Sequence, residues 1–137
     1  MGTIVLFVLA KLVAYSVFCA QAPQWFAFQE PNAVAFGIRW GITRLLIGIA
    51  AGFPIAYIFT IAEEASLSVF ASYAVSFVPT RYLEWSLLFV FFRTSRALRF
   101  GVRANAWILT GVAVSLGFDL VAWGLLESGN VNLKFFC

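Results

Sequence analysis

The chain has 137 residues, 63% of them apolar and only 11% charged, with a mean hydropathy of +0.95 and a net charge of +3. Soluble domains carry charge on about a quarter of their residues, so this composition excludes an ordinary water-soluble domain. Histidine is absent, which excludes haem held by paired imidazoles, histidine-ligated zinc or copper, and a histidine general base.

A bilayer core about 30 Å thick is crossed by roughly 20 mainly apolar residues in a helix. Four such stretches are present, at about 3–21, 41–62, 67–92 and 104–126. They predict an all-α fold, a single polytopic membrane helix bundle of about four transmembrane helices occupying 1–137. The first stretch ends in Cys19-Ala20-Gln21-Ala22, which looks like a signal-peptide cleavage site. Its start, Met1-Gly2-Thr3, carries no cation, and Lys11 falls inside the apolar run, so it reads as a first spanning helix. The following linker, 21–36, holds Pro23, Pro31, Trp25, Phe26 and Phe28, and predicts an irregular segment with aromatic rings at headgroup depth.

The second stretch contains Gly48 and Gly52 in G-x-x-x-G spacing. Lipid and leucine are equally apolar, so membrane helices gain most where small side chains let backbones approach. Gly48 and Gly52, with Ala113 and Gly117 on the fourth stretch, are therefore the expected helix-packing surfaces. Pro54 and Pro79 sit inside the second and third stretches and give no further sign of an inverted repeat.

In the third stretch Ser72, Ser76, Thr80 and Glu84 recur every fourth residue, a polar stripe along one helix face. Arg81 and Glu84 lie one turn apart near mid-span, Lys11 lies near the centre of the first span, and Asp119 lies in the fourth with Ser115 a turn before it. A charge at such depth costs about 3 kcal/mol on insertion scales. The two cations and two carboxylates balance, and predict a charge network among Lys11, Arg81, Glu84 and Asp119. It serves either to fix the packing or to carry protons or ions along the hydroxyl stripe; a third option is pairing with other subunits.

Arg93, Arg96, Arg99 and Arg103 follow at spacings of three, three and four, which on a helix would share one side and face anionic headgroups or an acidic partner. Arg39 and Arg44 precede the second span. With four spans these two connections share a side, which the positive-inside rule makes cytoplasmic or its equivalent. Glu63-Glu64 and both termini then lie opposite.

The segment Arg81-Tyr82-Leu83-Glu84-Trp85 resembles the Arg-Tyr-x-Asp/Glu-Trp segment in the third helix of microbial rhodopsins, where the carboxylate is a counter-ion or proton acceptor. The resemblance covers five residues. That family also requires seven helices and a retinal-bearing lysine in the last, whereas here the only lysine in a span is Lys11. No function is carried over from it.

No G-x-S-x-G, Walker sequence, Cys-x-x-Cys or intramembrane-protease set is present. Cys19 and Cys137 match no metal or redox spacing and read as small buried apolar side chains. The expectation is a non-enzymatic accessory subunit of a larger membrane complex, without cofactor, whose partners are other membrane subunits and lipid rather than nucleic acid. The alternative is a small oligomeric transporter or ion conductor using Glu84, Arg81 and Asp119.

Overall fold

The structure is a computed structural model that describes residues 2–66, 68–94 and 98–127. Every element among them is a helix: α1 (Gly2–Ala20), the single turn α2 (Ala22–Trp25), α3 (Ala33–Glu64), α4 (Val69–Thr94) and α5 (Val102–Glu127). Three stretches, Val5–Trp25, Ala33–Ala62 and Val102–Ala122, are long and apolar enough to cross a membrane. Four were expected. Although α4 is a continuous 26-residue helix, Ser72, Ser76, Thr80, Arg81 and Glu84 lower its hydropathy.

The elements begin near the expected positions except α3, which starts eight residues earlier than 41. Its N-terminus is set by Asn32, whose Oδ1 accepts from the Ala35 amide at 2.9 Å, satisfying a donor that the helix leaves unpaired. Ser68 does the same for α4 through the Ala71 amide at 3.3 Å. The linker is less irregular than expected, since α2 occupies part of it. Trp25 Nε1 donates to the Arg103 carbonyl at 3.1 Å, which fastens the linker to the start of α5.

Paired residues fix the directions of the helices. Gly37 and Gly41 on α3 lie against Ala20 and Ser16 on α1, while Trp40 meets Phe92 on α4 edge to face. Along α5, Trp107 meets Phe18, and Phe118 meets Phe7. Hence α1 and α4 run one way, and α3 and α5 the other.

Where α1 and α4 finish and α3 and α5 begin, aromatic rings form a plate. Phe26 packs on Phe89, Phe92 and Trp107 with centroids 5.4, 6.1 and 5.9 Å away, and Trp107 contacts Phe92 and Trp85 at 5.2 Å each. Such edge and offset contacts add about 1 kcal/mol apiece beyond burial. The opposite half is looser: from Ile49 to Ile61 in α3 only Ile55 is buried.

A close backbone approach joins α1 to α3 at Gly37 and Gly41, whereas a Cβ on Gly48 would meet the side chains of Arg44 and Arg81. A Cβ on Gly41 would stand 2.8 Å from Ser16 Cα. Gly48 and Gly52 are half-buried, and Ala113 and Gly117 are exposed. The small residue of α5 that matters for contact is Gly111, whose Cβ would fall 2.5 Å from the Trp85 ring.

Gly41→Ala should therefore lower the thermal midpoint of the detergent-solubilised protein, by roughly 1–3 kcal/mol of stability, as overpacking does. Gly117→Ala, with nothing within 4 Å of the new methyl, should leave the midpoint unchanged or slightly raised. Equal midpoints for the two variants would contradict the α1–α3 contact.

Candidate functional site

Below the aromatic plate, five charged side chains from all four long helices meet: Lys11 (α1), Arg44 (α3), Arg81 and Glu84 (α4) and Asp119 (α5). None is more than 5% exposed. One helical turn sets the core of the cluster, because Arg81 and Glu84 at i, i+3 share a face. Arg81 Nη1 donates to both Glu84 oxygens at 3.0 and 2.9 Å. Its remaining nitrogens fork onto the next helix, Nε to Asp119 Oδ2 at 2.9 Å and Nη2 to Oδ1 at 3.1 Å. This bidentate arrangement is among the stronger charge-assisted contacts.

Two further cations complete the cluster. Lys11 Nζ donates to Asp119 Oδ1 at 3.1 Å, and Arg44 Nη2 donates to Glu84 Oε2. The same Nη2 reaches Ser115 Oγ at 3.1 Å, where Trp85 Nε1 also donates at 2.9 Å and the Tyr15 hydroxyl lies at 3.3 Å. The guanidinium of Arg44 lies against both the Tyr15 and Trp85 rings, each 5.0 Å from its central carbon, a cation–π setting that supports a desolvated cation. Lys11 lies 4.9 Å from the Phe7 ring and Arg81 5.8 Å from Phe77, so aromatic side chains border the cluster on both sides.

All four charges singled out from the sequence meet here. Arg44 does not appear among them because it was assigned to the membrane flank, on the view that the helix begins at 41. The true start at Ala33 carries Arg44 three turns into α3, where it is fully buried. With it the cluster holds three cations and two carboxylates among the described residues. Asn32 after Pro31, followed by an unbroken apolar helix pattern, was the signal that could have revealed this.

The polar stripe lies on α4 as expected, with Ser72 and Ser76 buried and Thr80 half-buried. Two of its hydroxyls turn to their own helix: Ser76 Oγ donates to the Ser72 carbonyl and Thr80 Oγ1 to the Ser76 carbonyl, both at 2.7 Å. Gly48 adjoins the cluster, since a Cβ there would stand only 3.0 Å from Arg44 Nη1, so that the guanidinium lies against the bare face of the glycine. Among the loop arginines, Arg93, Arg99 and Arg103 are exposed at the aromatic end. Residues 98–101 are not helical, so Arg93, Arg99 and Arg103 do not share one helix face; Arg96, like Cys137, lies outside the described residues.

Removing one member strands its partners in a low-dielectric interior at a cost of roughly 3 to 5 kcal/mol, and removing both partners costs less. Glu84→Gln should lower the thermal midpoint strongly, because Arg44 and Arg81 share that carboxylate. Adding Arg44→Gln should recover part of the loss. A double variant no more stable than Glu84→Gln would rule out the coupling.

Comparison with protein-family models, with curated proteins and with solved structures gave no match in any of the three.

Proposed function

We infer that the chain is a polytopic membrane helix bundle, with four helices crossing the bilayer, and that it serves as a small accessory subunit of a larger integral membrane complex. The carrying observation is its inside-out distribution. Charges from all four long helices are buried together, while Leu6, Phe53, Leu83 and Leu120 point outward, each more than 60% exposed. In water this arrangement would be reversed; in lipid it hides what lipid cannot solvate.

On this reading α4 is the fourth span. At 1.5 Å per residue its 26 residues reach about 39 Å, more than a bilayer core. Arg81 and Glu84 face inward, and Phe70, Val75, Leu87 and Phe91 face out. The weakly covered half of α3, with Phe53, Tyr57, Ile58 and Ile61 exposed, favours a neighbouring helix over lipid alone as its contact. Arg39, Arg93, Arg99 and Arg103 gather at the aromatic end, which is then the non-translocated side, where they suit anionic headgroups.

Ion or proton conduction through Glu84, Arg81 and Asp119 is the other reading. The hydroxyls of Ser76 and Thr80 speak against it, since they donate to backbone carbonyls of α4 instead of forming a relay toward Glu84.

Purification in mild detergent should yield the chain in fixed stoichiometry with a different polypeptide, and vesicles containing the chain alone should pass no ions or protons. A chain that purifies alone and supports flux abolished by Glu84→Gln would overturn the subunit reading. Topology has its own test. In a Cys137→Ser background, cysteines introduced at Ser68 and Arg99 should react with an impermeant reagent from opposite sides of sealed vesicles. Reaction from one side would contradict four crossings.

A further inference from the structure

We propose that the junction of α4 and α5 binds an anionic phospholipid, with the phosphate of its headgroup held by Arg93, Arg99 and Arg103 and an acyl chain lying along α4. The proposal rests on the membrane-spanning reading and deepens it by assigning one lipid class to one place. Three observations converge there.

The first is charge. Arg93, Arg99 and Arg103 are exposed, and from Trp85 to Phe118 the sequence contains no carboxylate. The linker before α3 supplies the one acid at this end, Glu30, which can neutralise a single arginine. No acidic residue stands in the first turn of α5, so the free amides at its N-terminus add partial positive charge to the same corner.

The second is that the arginines are gathered by aromatic packing. The central carbon of the Arg93 guanidinium lies 5.7 Å from the Phe100 ring, and Phe100 packs on Phe89 at 4.9 Å. The chain leaving α4 therefore folds back against that helix, which brings Arg99 beside Arg93. Arg103 follows within one turn, and its carbonyl is fixed by Trp25 Nε1 at 3.1 Å.

The third is an apolar track leading to the cations. Leu83, Leu87 and Phe91 recur every fourth residue on α4, share an outward face, and are each more than 40% exposed. That stripe ends beside Arg93. Phe100 and Trp25, both partly exposed, stand where aromatic rings meet headgroups. Soluble phosphate or an acidic polypeptide would use the arginines and leave the stripe unused. A phospholipid matches both, with its phosphate at headgroup depth and its chain beside the helix.

The test titrates short-chain phosphatidylglycerol, short-chain phosphatidylcholine, glycerol phosphate and polyglutamate into the purified chain in neutral detergent at constant salt, and follows thermal unfolding. Only phosphatidylglycerol should raise the midpoint, and saturably, as a ligand of the folded state does. One cation near an anionic lipid strengthens association about five-fold. Arg99→Gln should therefore need about five-fold more phosphatidylglycerol for the same rise, and a variant with Arg93, Arg99 and Arg103 all replaced by glutamine about 100-fold more. An equal rise with phosphatidylcholine, a rise with glycerol phosphate or polyglutamate, or an unchanged titration in the variants would each overturn the proposal. Cysteine labelling at positions 68 and 99 judges the crossings separately, so labelling from opposite sides combined with no lipid response would strike this inference alone.

Discussion

The fork of Arg81 is the contact on which the bundle depends. It holds Glu84 on its own helix and Asp119 on α5 at once, and each carboxylate then takes a second cation, Arg44 from α3 and Lys11 from α1. The four long helices are therefore tied through two acids, each held by two bases. Apolar packing alone gives membrane helices little reason to prefer one neighbour over another, whereas ionised groups must meet their partners or bear a large penalty. The cluster sets the register, and the glycine contacts of α1 with α3 and of Gly111 with Trp85 let the backbones come close enough for the charges to touch.

Much of this was legible in the sequence. Hydropathy located all four long helices, and rarity made the charges conspicuous: a lysine, an arginine and two carboxylates in apolar runs have few alternatives to one another. What could not be read was which helix face each residue occupies once neighbours are chosen. Arg44 was hidden by a helix boundary, because eight residues of error at the N-terminus of α3 moved it from the interior to the flank. The G-x-x-x-G motif meets a related limit. Spacing marks a small face but not what lies across from it, and across from Gly48 is a guanidinium, while the backbone contact falls two turns earlier at Gly41.

The hydroxyl stripe shows the same limit in another form. A period of four placed Ser72, Ser76 and Thr80 on one side of α4, yet periodicity is silent on hydrogen-bond direction. Serine and threonine in a helix readily bond the carbonyl four residues back, and Ser76 and Thr80 do so. A row of hydroxyls is thus compatible with either a relay or a self-satisfied helix, and only the geometry separates them.

The ion pair between Lys11 and Asp119 spans 108 residues of chain, nearly the whole length, whereas Arg81 and Glu84 are neighbours in one turn. In a chain made from its N-terminus, α4 carries its own arginine and acid together from the outset. Lys11 reaches Asp119 only after the last helix has arrived. Closure of the bundle consequently waits for α5, and a product cut short before it would lack both Asp119 and the Ser115 hydroxyl that gathers Arg44, Trp85 and Tyr15. Such a fragment would lack the carboxylate that Lys11 and Arg81 share, a chemical mark by which a chain without α5 differs from one that has it.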